Sequence, residues 1–214
     1  MEHAPPTVPK RLNPRKKPIQ SRSGVTVDAI CEATIQVLLS HGLTRLTTTR
    51  VAERAGVSVG TLYQYFPNKE ALLFAILQRH FEEVAESLEC LGMTSGPRPL
   101  TDLAEGIADA YVSVKTARPE ATEALYRVAG AIDQVRLSVG VYKRMETAVA
   151  WVLVTAQDAE FPDPERAAFT LLSALAGVSR GSFGKRASDP EALKRLRDDA
   201  RLLSSAYLRA AANR

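Results

Sequence analysis

The chain has few of the residues that build metal sites, cross-links and catalytic centres. Its 214 residues include only two cysteines and three histidines. Cys31 and Cys90 stand far apart, without a C-x-x-C pair or a Cys/His cluster, so the sequence predicts neither a disulfide framework nor a zinc site. We expect both cysteines to be small buried hydrophobes. No Gly-rich nucleotide-binding loop is present either, and we predict no catalytic residue, no metal and no cofactor.

Long apolar runs are also missing. The sequence contains no run of about 18 apolar residues, which a membrane-spanning helix needs. Met1 to Pro18 is polar and rich in proline, without the apolar centre of a secretory signal. We therefore expect a cytoplasmic protein with no membrane partner. Its 45% hydrophobic and 24% charged residues are ordinary for a globular protein.

Positive charge is concentrated in residues 1–23. This segment has six basic side chains against one acidic side chain, Glu2, whereas the whole chain carries a formal charge of +4. The remainder is therefore close to neutral, and we predict a flexible basic arm over residues 1–23. Such an arm either follows a phosphate backbone, where Lys and Arg release condensed counterions, or only keeps the protein in solution. Composition alone leaves both interpretations open.

The rest of the chain has the hydrophobic period of helices. Apolar residues recur at steps of three and four, and Gly42 and Gly56 stand where a helix would end. The residues expected to cap the second, third and fourth helices are Thr48, Ser58 and Asn68. No stretch alternates with period two for long enough to indicate a sheet. We predict an all-α chain of about nine helices.

Residues 47–66, with the sequence TTTRVAERAGVSVGTLYQYF, indicate a helix-turn-helix. Two short helices flank a tight turn at Gly56. The second helix is too short for a core of its own, and its small, neutral polar side chains suit close approach to base edges in the major groove. Hydroxyls and cations around it are the groups that grip phosphates. The candidates for base contact are Val59, Thr61, Gln64 and Tyr65, and those around them are Thr48, Thr49, Arg50, Tyr63, Tyr65 and Lys69.

The run Leu46 to Leu72, LTTxRVAxxAGVSxGTLYxYFxNKEAL, resembles the DNA-binding domain of TetR-family regulators nearly position for position. The likeness covers about residues 25–80. It implies a helix-turn-helix domain over 24–67 and a helical regulatory and dimerisation domain over 68–214, linked by a helix over 68–91. Taken singly, Tyr63 and Tyr65 fit half-buried packing aromatics equally well, and Lys69 fits an ordinary first-turn lysine.

The resemblance also implies roles for single residues in DNA binding. Thr48, Thr49, Val59, Gly60, Thr61 and Gln64 would lie nearest the bases. Arg50 and Ser58 are further candidates for DNA binding. Tyr63, Tyr65 and Lys69 would contact phosphates, and Arg22 would reach the backbone or the minor groove. Because members of the family vary at the base-contacting positions, the operator sequence does not follow from the resemblance.

Two stripes near the end of the chain indicate a dimer. Small residues four apart in one helix and an apolar stripe in the next would let both helices pair with their copies across a two-fold axis. The predicted interface residues are Ser173, Gly177, Gly181, Leu196, Leu203 and Tyr207. The alternative is that both stripes face only the core of the monomer. A two-fold homodimer would hold its recognition helices about 34 Å apart and select a palindromic operator.

The sequence therefore favours a repressor that a small molecule of unknown identity releases from a double-stranded DNA operator. Residues that could line an apolar effector pocket are Tyr111, Tyr126, Met145, Trp151 and Phe169, although each also fits plain core. Two further classes are a constitutive architectural DNA-binding protein and a helical enzyme. Two G-x-S-x-G matches, at residues 56–60 and 177–181, lack the preceding strand of an esterase, and no histidine follows His80, so we expect no enzyme.

Overall fold

The structure, a computed structural model, describes residues 21–94, 96–129, 134–186 and 189–212. Within these ranges the chain forms nine helices and no strand, apart from one isolated parallel bridge between Arg98 and Ala156. The helices are α1 Ser21–His41, α2 Thr48–Ala55, α3 Val59–Tyr65, α4 Lys69–Thr94, α5 Leu100–Ala117, α6 Pro119–Ala129, α7 Gln134–Leu153, α8 Pro164–Arg186 and α9 Pro190–Ala211. The predicted all-α fold is confirmed. Of the predicted basic arm, residues 1–20 lie outside the described residues, and the last three begin α1.

Side-chain caps set where the short helices begin. Ser58 caps α3 as predicted, because its hydroxyl accepts a hydrogen bond of 2.9 Å from the Thr61 amide. The predicted cap of α2 is wrong by one residue. Thr47 has the extended backbone of a cap and accepts from the Arg50 amide at 3.3 Å, while Thr48 is already helical. Three threonines in a row offer the same chemistry, and only backbone geometry decides among them.

Gly56 makes the turn between α2 and α3. Its φ of +68° lies in the left-handed region, which a residue with a Cβ adopts only at a cost. The Gly56 amide donates to the Glu53 carbonyl at 3.2 Å, and the Val57 amide donates to the Ala52 carbonyl at 3.0 Å. These two bonds satisfy carbonyls at the end of α2 and reverse the chain, which puts α3 immediately after the turn.

The chain divides into two compact units. The first contains the described residues up to His80 together with those of Ala124–Val139, and the second contains those of Phe81–Glu123 and Gly140–Arg214. This division falls inside α4, later than the predicted domain boundary at residues 67 and 68, and it assigns part of α6 to the first unit. The first part of α4 carries buried apolar residues such as Leu73 and Leu77 and belongs to the first unit, so this unit extends beyond the end of the motif.

Each unit has its own core. In the first, α2 packs on α1 and α3 packs on α2, and the buried side chains include Ile30, Val37, Val51, Leu62 and Phe66. In the second, α9 packs on both α5 and α8, and the buried side chains include Leu103, Ile107, Leu171, Leu196 and Leu208. Among the described helices, none combines the length and apolar character that a membrane span needs.

The two cysteines differ in burial. Cys31 is buried in the first unit, where burial raises the pKa of its thiol to about 11, so the expectation of a small core hydrophobe is confirmed. Cys90 is exposed, and the same expectation is wrong there. Cys90 follows the buried Leu88 on α4 by two residues, a step of about 200° that turns its side chain to the opposite side of the helix.

Candidate nucleic-acid interface

The outer face of α3 carries the predicted base-reading side chains. Leu62 and Phe66 point into the core of the first unit, which turns the residues between them outward. Gln64 and Gly60 are exposed, and Thr61 and Tyr65 are half-buried. None of the four is enclosed in the protein, so α3 presents short polar side chains on a supported helix, the arrangement that enters a major groove.

One pair of hydroxyl groups joins α2 to α3 at their outer surface, and a second pair lies at the start of α3. The Thr48 hydroxyl lies 3.1 Å from the Tyr63 hydroxyl, and the Ser58 hydroxyl lies 2.8 Å from that of Thr61. Thr49 is exposed next to them, and Val59 is half-buried. Each pair contains a donor and an acceptor, and each oxygen retains capacity for another bond, so both pairs can hold a position and still contact DNA.

The predicted cations near the motif make bonds within the protein. Arg50 Nη1 donates to the carbonyl oxygen of Arg45 at 2.6 Å, and Lys69 Nζ donates to that of Leu43 at 3.0 Å. These bonds tie the segment between α1 and α2 to α2 and to α4, respectively. A lysine with three donors can keep this bond and still face a phosphate. The predicted contact of the Arg22 side chain lies outside the described residues.

Sequence reasoning missed two polar contacts that fix α1 in place. Arg54 Nε donates to the Gln36 side chain at 2.7 Å, which joins α2 to α1. Arg79 Nη1 donates to the Asp28 carboxylate, which joins α4 to α1. These partners are 18 and 51 residues apart in sequence, and no local pattern reveals such pairs. Both contacts help to hold α1 against the helices of this unit.

The predicted pocket residues do not share one environment. Tyr111 and Met145 are buried in the second unit, and Tyr126 is half-buried and belongs to the first. Trp151 is 64% exposed and lines a groove in the second unit. Phe169 is 58% exposed on α8, where it lies one helical turn before Ser173. Of the five, two thus belong to the core of the second unit, one to a groove and one to an outer surface, and Tyr126 lies in the other unit.

A buried lysine in the second unit escaped the sequence reasoning. Lys115 is 1% exposed, and its Nζ lies 4.9 Å from the ring centre of Tyr111 and 5.8 Å from that of Phe81. Burial lowers the pKa of its ammonium group to about 7, because a low-dielectric core disfavours the charged form. The two aromatic faces attract the cation. Lys115 follows the buried Tyr111 on α5 by four residues, and this spacing in the sequence could have indicated that the lysine is buried.

The predicted dimer residues lie on α8 and α9. Ser173, Gly177 and Gly181 are exposed along one side of α8, and a Cβ atom at either glycine would meet no atom within 4 Å. Leu203 and Tyr207 on α9 are half-buried. Leu196 is buried in the core of its own unit, a position that leaves its side chain no surface for a partner.

Comparison with known proteins agrees with this architecture. The family model of bacterial regulatory proteins of the tetR family matches residues 24–76, and that of a tetracyclin repressor-like C-terminal domain matches residues 99–208. The repressor KstR of Mycolicibacterium smegmatis is 39% identical over 67 residues, which are 31% of this chain and 33% of KstR. The fatty acid metabolism regulator protein of Bacillus subtilis is 32% identical over 60 residues, 28% of this chain and 31% of that protein. The chain thus spans about a third of the length of these curated relatives.

Solved structures extend the likeness over most of the chain. SmeT, the repressor of the Stenotrophomonas maltophilia multidrug efflux pump SmeDEF, superimposes with a TM-score of 0.65 at 21% identity, over 88% of this chain and 93% of SmeT. A complex of SmeT with triclosan superimposes with a TM-score of 0.66 at 23% identity, over 88% and 92% of the two chains. At these identities the likeness shows the fold.

Proposed function

This chain belongs to the TetR family of bacterial regulatory proteins, and from that membership we propose that it is a ligand-responsive transcriptional repressor. It binds double-stranded DNA as a homodimer, and a small molecule releases it. The single observation that carries the proposal is the exposed face of α3, where Thr61 and Gln64 stand outward from a helix anchored by buried Leu62 and Phe66. KstR and the fatty acid metabolism regulator protein, two of the relatives that it matches, are named as a repressor and a regulator, and the proposal includes no reaction. Binding to bacterial DNA implies a cytoplasmic site of action.

Within the proposed interface, side chains divide by chemistry. Gln64 can form paired hydrogen bonds with adenine, and the Thr61 methyl group can contact the methyl group of thymine. Tyr63 and Tyr65 offer hydroxyls at the edge of α3, where phosphates would pass. The α3 face therefore sets which sequence is bound, and its rim sets the register and the salt dependence of binding.

The proposed homodimer uses the exposed sides of α8 and α9. Gly177 and Gly181 give α8 a bare backbone surface, and Phe169 and Leu202 are large apolar side chains that are 58% and 70% exposed there. Small residues allow two helices to approach closely, and the apolar side chains beside them bury hydrophobic surface when the helices pair. In this proposal Phe169 serves the dimer and not a pocket. Two copies related by a two-fold axis would read a palindrome.

Release of DNA is proposed to pass through α4. This helix contributes its residues up to His80 to the first unit and those from Phe81 to the second. A ligand held by the second unit can act on the first through this shared helix if it binds the DNA-incompetent state more tightly. The SmeT and triclosan complex supports a small-molecule effector for a protein of this fold.

Two substitutions on α3 test the division of roles. Gln64→Ala removes a base-reading amide, so we expect a changed base preference at one position of each half-site, with about 1 to 3 kcal/mol less discrimination. Tyr65→Phe removes only a hydroxyl, so we expect weaker binding to every sequence and the same preferred operator. Selection of DNA from a random-sequence pool, followed by affinity measurements at several salt concentrations, distinguishes these results.

Two outcomes would contradict the proposal. If Tyr65→Phe altered base preference while Gln64→Ala left it intact, the roles of the two residues would be wrong. If the wild-type protein bound all selected and unselected DNA with equal affinity, a constitutive architectural protein would fit better than a repressor.

A further inference from the structure

An open groove in the second unit runs between α4 and α7. Its volume of about 550 Å³ lies within the range of small-molecule sites. Small residues form its floor, with Gly92 on α4 near Ala148 on α7. A Cβ atom at Gly92 would lie 3.5 Å from the Trp151 ring. The backbone of Gly92 therefore faces the indole with no side chain between them. This leaves open space beside the Trp151 ring.

Large apolar side chains border this groove without being covered. Trp151 is 64% exposed and Met93 is 89% exposed. Apolar side chains grouped at a concave surface mark a binding site more strongly than scattered ones do. An exposed indole favours a second flat ring stacked on its face, and a thioether adds polarizable contact at the ring edge. The apolar wall therefore suits a planar aromatic ligand.

The charged residues of the groove are already neutralised by partners in the protein. Arg144 donates two hydrogen bonds, of 2.9 and 2.8 Å, to the Glu89 carboxylate. Lys143 Nζ lies 3.1 Å from the Glu165 carboxylate. Each cation already has an anionic partner, so the groove offers an ionic ligand no uncompensated opposite charge to offset the loss of its hydration. The groove therefore favours an uncharged ligand.

One polar group in the groove remains available. Thr147 is exposed on α7 one turn before Trp151, and its hydroxyl makes no hydrogen bond with the residues that the structure describes. A hydroxyl can donate or accept, so it would orient a ligand that carries one matching polar atom.

We propose that the groove between α4 and α7 binds an uncharged, planar aromatic molecule, stacked on Trp151 and hydrogen-bonded to Thr147, and that the effector belongs to this class. The inference rests on the proposed control of DNA binding by a small molecule. It assigns the effector to the groove around Trp151 and not to the buried surroundings of Tyr111 and Met145.

The fluorescence of Trp151, the one tryptophan of the chain, reports binding directly. We expect 4-hydroxybiphenyl, a neutral probe with two linked planar rings and a hydroxyl, to change this fluorescence saturably in the full-length protein. Its anionic analogue biphenyl-4-carboxylate should bind at least about tenfold more weakly, because its charge is unmatched. A fluorescence that does not saturate with the neutral probe, or tighter binding of the carboxylate, would overturn the proposal.

Two variants of Thr147 locate the probe. Thr147→Phe fills the groove and should weaken binding at least about tenfold, whereas Ser113→Phe, at an exposed position on α5, should leave it unchanged. Thr147→Val keeps the shape and removes only the hydroxyl, so a loss of about threefold to tenfold is expected. Unchanged binding by both Thr147 variants would place the probe elsewhere and refute the site.

DNA release separates failure of the groove from failure of the proposed function. With a DNA fragment that the protein itself selects from a random pool, 4-hydroxybiphenyl should weaken binding of the wild type and not of Thr147→Phe. Equal release of both would leave a ligand-responsive repressor and overturn the groove as its effector site. Probe binding without any release would overturn the assignment of the effector class. If no DNA were bound at all, the proposed function would fail, and the fluorescence titration would still decide the binding site.

Discussion

Lys115 places an amine in the core of the second unit. A buried ammonium group loses its hydration, which costs free energy. The ring faces of Tyr111 and Phe81, whose centres lie 4.9 and 5.8 Å from Nζ, offset part of this cost by attracting the cation. Burial lowers the pKa of the amine to about 7. A single residue thus couples the stability of this unit to pH.

Lys115→Met should stabilise the protein below neutral pH. Between about pH 7 and 10.5 the unfolded chain binds the proton that the folded protein has released, so the free energy of unfolding of the wild type rises with pH over this window. Below pH 7 the whole penalty is present, and the variant should be more stable by on the order of 4 kcal/mol. Denaturant unfolding of both proteins at pH 6, 8 and 10 measures the difference, which should shrink toward high pH. A difference independent of pH would contradict the lowered pKa.

The turn between α2 and α3 decides whether the two short helices form one reading element. Neither helix is long enough to be stable alone. Gly56, with φ of +68°, and the caps Thr47 and Ser58 hold them in their relative orientation. The relative orientation of α2 and α3 therefore depends on the turn and its caps, and not on the side chains proposed to contact DNA.

Gly56→Ala should destabilise the motif because alanine meets steric strain in the left-handed region. We expect a loss of about 1 to 2 kcal/mol in the free energy of unfolding. Gly56→Asn should cost less, since asparagine tolerates this conformation better. The control is Gly60→Ala within α3, where a Cβ would meet only the Ser58 hydroxyl oxygen at 3.7 Å and no loss is expected. Thermal or denaturant unfolding checks the order, and equal losses at both glycines would contradict the role of the turn.

At the scale of the whole molecule, the proposed function requires two copies, because one recognition helix would read only half of a palindrome. The exposed glycines of α8 and the exposed Phe169 and Leu202 mark the surface proposed to join them. A large charged side chain placed there would be accepted by the monomer, since open space surrounds Gly177, and would oppose only the dimer.

Gly177→Arg should give a folded monomer. Sedimentation at micromolar protein should show half the mass of the wild type, with an unchanged helical circular dichroism spectrum. Because two linked half-sites bind more tightly than one, operator affinity should fall by about 100-fold or more. Ser113→Arg, at an exposed position on α5, should leave both properties unchanged. A Gly177→Arg protein that remained dimeric would exclude this surface as the interface.

The sequence by itself determined the helical class, the helix-turn-helix and the residues that face outward on α3. These features depend on local rules: hydrophobic period, turn glycines and capping hydroxyls act within a few residues. The positions of Leu62, Gln64 and Phe66 on a short helix are enough to separate its inner face from its outer face. The predicted base-reading and phosphate roles of those residues remain predictions.

Tertiary structure alone decided which members of an apolar stripe meet the core. Leu196 is buried in the core of its own unit, whereas Leu203 and Tyr207 of the same predicted stripe are only half-buried. The bond from Lys69 to the Leu43 carbonyl and the groove beside Trp151 join positions far apart in sequence. Such contacts depend on how helices pack on one another, and packing is determined by the sum of many distant side chains and not by the period of any single helix.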